Sequence, residues 1–191
     1  MRRVRTDRKE IYLTFDDGPI PELTPWVLDT LKAHGAQATF FCIGSNIQKH
    51  PEIFTRIKAE GHGIGNHTFS HLKGWDTERF AYLRDTLRCQ QLTGTGLFRP
   101  PYGRITMGQA RAIARRFKLV FWDVLSEDFD VRLEPQQCLN NVLYRAKRGS
   151  IVVLHDNLLS EERMRYVLPR TLEHFAREGY HFPVLPGGTT A

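Results

Sequence analysis

Cysteine is scarce. Its three copies, Cys42, Cys89 and Cys138, are odd in number and far apart, which excludes a disulfide framework or a Cys-x-x-Cys metal knuckle and leaves buried free thiols as the expectation. Long apolar runs are missing too, none approaching the roughly 20 residues that span a bilayer. The chain opens with Arg2, Arg3, Arg5, Arg8 and Lys9 against Asp7, and Asp7-Arg8-Lys9-Glu10 stands where a signal peptide would need an apolar segment. The chain is therefore expected either not to be exported or to be a trimmed part of a longer protein. Neither a wide basic stripe nor a nucleic-acid reader motif is legible, so a nucleic-acid partner is not expected and the basic start reads as a solvated tail. What remains is ordinary: 191 residues, 41% hydrophobic, 25% charged and net +6. That suits one globular domain and excludes disordered, collagen-like and coiled-coil chains, while the mild basic excess names no partner.

Within that frame, short β-type runs alternate with helical patterns. Strands are predicted at Ile11–Phe15, Thr39–Ile43, His62–Asn66, Leu97–Arg99, Leu119–Asp123, Ile151–His155 and Tyr180–Val184. Helices are predicted at Trp26–His34, with Thr24 as N-cap and Pro25 in the first turn, and at Pro51–Glu60, Asp76–Leu92, Thr106–Phe117, Glu134–Ala146 and Ser160–Glu178. Such alternation implies parallel strands joined by right-handed crossovers, as an open sheet or a barrel. After the first strand comes Asp16-Asp17-Gly18-Pro19, whose acid would repel a pyrophosphate, so a nucleotide-binding Rossmann domain is not expected. No repeat or linker appears. One domain over residues 11–185 is expected, between a basic tail (1–10) and a short C-terminal tail (186–191).

Polar residues gather where these strands end: Asp16 and Asp17, His67 and His71, Arg99 and Tyr102, Asp123, then His155 and Asp156. In barrels and open α/β sheets the carboxyl ends of strands are where sites are built. Adjacent carboxylates can cap a turn, but the strand period of two would send Asp16 and Asp17 opposite ways, one to bind a cation and one to act as a base. His67 and His71 would reach one ion if their segment turns helically, and two histidines with a carboxylate suit a catalytic divalent metal. Asn66 either fixes a ligand or turns the chain. Arg99 either forms a structural ion pair or holds a carboxylate in place and ionised. His155 reads as a general acid. Trp75, Tyr102 and Phe129 are either stacking walls for a sugar or packing, and Trp26 reads as core.

Taken together, these segments resemble the polysaccharide deacetylases with the NodB-homology domain, carbohydrate esterase family 4, over about residues 11–185. Thr14-Phe15-Asp16-Asp17-Gly18-Pro19 is similar to that family's first motif, His67-Thr68-Phe69-Ser70-His71 to its second and Arg99-Pro100-Pro101-Tyr102 to its third. The resemblance implies a distorted (β/α) barrel of seven or eight parallel strands. It implies Asp16 as catalytic base and a divalent ion on Asp17, His67 and His71, zinc in the first place and Co, Ni or Mn otherwise. It further implies Arg99 orienting Asp16, the Tyr102 backbone N–H binding an oxyanion and His155 as general acid.

The fourth motif, usually Asp-x-x-Asp-Trp, is here Leu125-Ser126-Glu127-Asp128-Phe129. It keeps the Asp that tunes the acid histidine, as Asp128, and replaces the pocket tryptophan with Phe129. Asp123 and Asp130 stand as alternatives to Asp128. Val153-Leu154-His155 keeps the histidine of the fifth motif. The implied activity is removal of acetyl groups from N-acetylated sugars of a peptidoglycan- or chitin-like polysaccharide; the sequence leaves the oligomeric state open, with a monomer as the default. Alternatives are an O-acetylesterase, a same-fold amidohydrolase on small cyclic imides or ureides, and a glycan-binding module without catalysis. Family substrates point to the envelope or the extracellular space.

Overall fold

The structure, a computed structural model, describes residues 1–188, so the end of the expected C-terminal tail, 189–191, lies outside the described residues. Seven strands form one sheet: β1 (Tyr12–Asp16), β2 (Thr39–Cys42), β3 (Gly63–Asn66), β4 (Leu97–Phe98), β5 (Lys118–Leu119), β6 (Val124–Leu125) and β7 (Ile151–His155). Their order is β5-β4-β3-β2-β1-β7-β6 and every pairing is parallel. The sheet curls into a half-barrel with β5 and β6 at its edges, which meets the expected distorted barrel. Among the described residues seven α-helices accompany it: α1 (Thr24–Ala33), α2 (Gly44–Lys49), α3 (Pro51–Ala59), α4 (Arg79–Thr93), α5 (Met107–Ile113), α6 (Pro135–Leu143) and α7 (Glu161–Arg177).

The central strands are buried along almost their whole length because both faces are covered, as parallel sheets require. Leu13, Phe15, Phe40, Ile64, Val152 and Leu154 pack outward into the main core with Val27, Leu28, Val142 and Leu168 of the helices. Tyr12, Phe41 and Ile151 share a smaller cluster with Leu97, Val120 and Leu185. The strand period of two then places Thr14 and Asp16 on the same face of β1 as Tyr12. All three are buried.

Several expectations change. The predicted strand Tyr180–Val184 is only an isolated bridge between Glu10 and His181, and of Leu119–Asp123 only Leu119 lies in a strand, β5, while β6 follows just beyond it. α2 had no counterpart in the reading. Leu23, not Thr24, is the N-cap of α1, since the Thr24 hydroxyl is drawn to Asp156 at 2.6 Å. Residues 1–4 are not a solvated tail. The Phe121 N–H donates to the Met1 carbonyl (2.7 Å) and the Val4 N–H to that of Gly149 (2.9 Å), while Met1 and Val4 pack against the smaller cluster. The segment runs from the β5 edge to the start of β7. All three cysteines are buried and free.

Gly65 of β3 shows how closely this inner face is packed, since a Cβ there would stand 2.2 Å from the Phe41 ring. Gly65→Ala is expected to lower stability by about 1–3 kcal/mol, read from the shift in urea midpoint.

Candidate active site

The first two site residues leave β1 together. Asp16 ends the strand, and Asp17 then takes a positive φ of 86°. That twist overrides the strand alternation, so the two carboxylates converge where the sequence reading sent them apart. His67 Nε2 lies 3.9 Å from Asp16 Oδ2 and 3.6 Å from Asp17 Oδ1, and His71 Nε2 lies 3.1 Å from Asp17 Oδ1. Nor is the His67–His71 segment helical. Thr68 (φ 63°) and His71 (φ 55°) turn it through the left-handed region. Asn66 Oδ1 accepts the Thr68 N–H at 2.9 Å, and Asp85 of α4 accepts those of Phe69 and Ser70 at 2.8 and 2.9 Å. Asn66 therefore turns the chain and does not touch a ligand ring.

Asp17, His67 and His71 offer ligand atoms within 4.8 Å of one another. Asp17 Oδ2 accepts from Asn157 Nδ2 at 2.7 Å, whereas Oδ1 is buried with no hydrogen-bond partner. An orphaned carboxylate oxygen between two imidazoles is the kind of ligand atom a cation site presents to its ion, and one carboxylate with two histidines suits zinc or a similar divalent ion. Their protonation agrees. Burial pushes His67 down to about 4, keeping it neutral at pH 7. Burial works to raise the Asp17 carboxyl, but the His71 ring 3.1 Å from Oδ1 and the nearby His155 and His67 hold it well below the usual carboxylate range. His67 Nδ1 donates to the Arg99 carbonyl at 2.8 Å, which leaves Nε2 free as a ligand.

Arg99 is fully buried. Its Nη1 donates to Asp16 Oδ1 at 2.7 Å and to Thr14 Oγ1 at 2.8 Å, and its guanidinium carbon lies 4.1 Å from the centre of the Phe41 ring. Asp16 Oδ2 makes no such bond. Beyond β6, Asp128 is buried and accepts from His155 Nδ1 at 2.7 Å, from the His155 N–H at 2.8 Å and from the Ser126 hydroxyl at 2.8 Å. Burial works to lower the His155 pKa, yet Asp128, with Asp17 and Asp16 behind it, raises it to about 9. Of the three acids considered for that place, Asp128 is the one that meets His155. Asp123 does not end a strand at the site. It binds the Ile151 N–H and Ser150 hydroxyl at the opposite end of β7, and Asp130 pairs with Arg132.

The aromatic candidates stand at the rim. Tyr102 (60% exposed) lies 4.7 Å from the His71 ring and Phe129 (43%) meets His155 edge-on at 5.1 Å. Trp75 (60%) lies under Arg104, its indole N–H donating to the Ile105 carbonyl at 3.3 Å. Trp26 is partly buried against the main core. Among the described residues, the non-glycine residues with positive φ are Asp17, Thr68, His71, Tyr102 and Glu127, all in loops at this end of the sheet. Backbone strain of this kind persists where the surroundings over-determine it and gathers at functional sites.

Sequence reasoning missed three supports: Asn157 on Asp17, Thr14 on Arg99, and Asn46, whose Nδ2 donates to the Asp17 carbonyl at 2.8 Å. Only Asn157 had a signal, its place two residues after His155. Asp156 turns away from the centre, accepting the Gly18 N–H at 3.0 Å and the Thr24 hydroxyl, and burial raises it to about 8.

With this geometry in place, comparison with known proteins is informative. A profile of the family described as Polysaccharide deacetylase matches residues 3–122. A peptidoglycan-N-acetylglucosamine deacetylase of Bacillus cereus is 37% identical over 78% of this chain, which spans only 56% of that relative's length. A chitooligosaccharide deacetylase of Azorhizobium caulinodans is 36% identical, covering 84% of this chain and 80% of its own. A crystal structure of a peptidoglycan N-acetylglucosamine deacetylase in complex with 4-naphthalen-1-yl-N-oxidanyl-benzamide superposes with a TM-score of 0.89 at 31% identity, covering 98% of this chain and 91% of the other.

The Arg99–Asp16 pair yields the prediction for this site. Arg99→Met leaves a buried carboxylate without its cation and is expected to cost about 3–5 kcal/mol in denaturant unfolding. Arg99→Lys, which cannot reproduce the planar fork, should recover only part of that loss.

Proposed function

Since the chain belongs to the polysaccharide deacetylase family, we propose that it removes the acetyl group from N-acetylated sugars of a peptidoglycan- or chitin-like polysaccharide. The observation that carries the reading is the orphaned Asp17 Oδ1, facing His67 and His71 beside a buried, arginine-held Asp16. Asp17, His67 and His71 would hold one divalent ion, zinc in the first place. Such an ion supplies Lewis-acid polarisation of the acetyl carbonyl and a lowered pKa for water.

The chain's own residues then divide the proton work. Asp16 Oδ2, the oxygen Arg99 leaves free, takes the proton of the attacking water, while Arg99 keeps the carboxylate from rotating. The Tyr102 backbone N–H donates to the oxyanion as it forms. With Nδ1 bonded to Asp128, His155 has Nε2 left to protonate the departing amine. Amines leave poorly, so a charged histidine serves an amide better than an O-acetyl ester. The exposed rings of Trp75, Tyr102 and Phe129 form walls on which sugar rings stack, which favours a glycan over a small cyclic imide. All of these groups fall in the proposed domain, residues 11–185. A module that only bound glycan would have no need of a base, an acid and a ligand set together.

Acetate release from a panel of N-acetyl and O-acetyl glycans is the direct test. Release is expected from the N-acetyl substrates and should be lost on chelation and restored by zinc. Absence of release from all of them by metal-loaded protein would instead support the small-amide alternative. Asp16→Asn is expected to lower kcat by about 10²–10⁴-fold while one metal per chain still binds.

The charge on His155 gives a pH signature. A group raised to about 9 carries its proton at neutral pH, so activity should fall as pH rises through about 9. Asp128→Asn removes the principal attraction and should move this alkaline limb to lower pH. An unmoved limb would assign it to another group.

A further inference from the structure

Net charge is distributed very unevenly over this fold. Residues 79–118, from α4 to the start of β5, contain eight arginines and one lysine against a single acid, Asp85. That is a net +8 in a chain whose total is +6, so the remainder is slightly acidic. Asp85 is committed to the backbone of the His67–His71 loop and Arg99 to the interior. The other eight basic residues are exposed, and none forms an ion pair among the described residues. Some arginines elsewhere are paired, Arg56 with Asp29 and Glu60 and Arg165 with Glu161. The reading of the sequence found no basic stripe because these residues are spread along forty positions. The packing of α4 against α5 brings Arg84 and Arg88 together with Arg115 and Arg116.

The same face carries uncovered apolar side chains. Phe80 is 67% exposed, Met107 70% and Leu87 41%. Two adjoining hollows run along it. One is lined by Phe80, Leu83 and Leu87 with Arg84 and Arg88, and the other, between α4 and α5, by Leu87, Ile113 and Phe117 with Arg115 and Arg116.

We propose that the α4–α5 face docks on an anionic phospholipid surface, with Phe80, Leu87 and Met107 entering the headgroup boundary and the arginines meeting lipid phosphates. Charge complementarity demands an anionic occupant and excludes a second copy of this face, which would bring like charges together. A soluble polyanion, nucleic acid included, answers the arginines but leaves the three apolar side chains in water. An anionic bilayer surface accommodates both, the arrangement of basic rim and Phe/Leu face that interfacial helices use. Because Asp85 ties α4 to the His67–His71 loop, docking would hold the proposed deacetylase site beside the membrane and next to glycan lying there. Only that last consequence depends on the deacetylase reading.

Co-sedimentation of the full chain with vesicles tests the proposal. Binding is expected to vesicles of mixed phosphatidylcholine and phosphatidylglycerol, weakened by salt, and not to phosphatidylcholine alone. At about fivefold per charge, Arg84→Glu/Arg88→Glu/Arg115→Glu should weaken it by at least about 100-fold. Phe80→Ser/Leu87→Ser, which leaves the charge unchanged, should weaken it by about tenfold. Both variants alter exposed side chains and should release acetate from a soluble chitooligosaccharide as the wild type does. That control separates failure of docking from failure of the deacetylase assignment. No binding to the anionic vesicles, or equal binding to neutral ones, would overturn the proposal. So would a Phe80/Leu87 variant that binds as the wild type does, or one equally well retained by polyphosphate or DNA, since the face would then be a polyanion site.

Discussion

A guanidinium with no access to water must be paired or the fold does not survive, and Arg99 meets that demand in a way that organises the whole centre. Its side chain binds Asp16 and Thr14 and lies against the Phe41 ring. Its backbone works as well: the carbonyl accepts from His67 Nδ1, and the N–H donates to Asn66, the residue that ends β3 and turns the next loop. One residue thus fixes the proposed base and a proposed metal ligand to a common frame. The frame depends in turn on the core, since Phe41 holds its place only because Gly65 presents no Cβ to it.

Two histidines, His67 buried and His155 largely so, show how neighbours divide labour between groups of one kind. His67 gives its Nδ1 proton to a backbone carbonyl and is held neutral by burial, about 4. His155 gives its Nδ1 proton to a carboxylate and, against the same desolvation, is raised to about 9. A neutral ring can ligate a cation and a charged one can deliver a proton. Pairs of titratable groups driven apart in this way are how a site runs acid and base chemistry at one pH.

What could be read from the sequence follows from how local each feature is. β7 is apolar up to its closing His155, and the sequence predicts its bounds, Ile151–His155, as they stand. β4, β5 and β6 are two residues each, too short for any period, so the sequence predicts a single strand where β5 and β6 stand and a further one at Tyr180–Val184, where there is only a bridge. The site motifs were legible because each lies in a single loop. The convergence of Asp16 and Asp17 was not, because it depends on one backbone angle at Asp17. Nor was the bond from Asn157 to Asp17, which joins positions 140 apart in the chain. The docking of residues 1–4 and the basic α4–α5 face were hidden for the same reason.

The centre proposed here has one ligand set, one base and one acid, so its activity should follow its metal. The most direct measurement is acetate release from an N-acetyl glycan as zinc is titrated into the apo-protein, with bound metal measured in the same samples. The rate is expected to rise in proportion to occupancy and to level off at one ion per chain. Full activity in the metal-free protein, or none at full occupancy, would contradict the account.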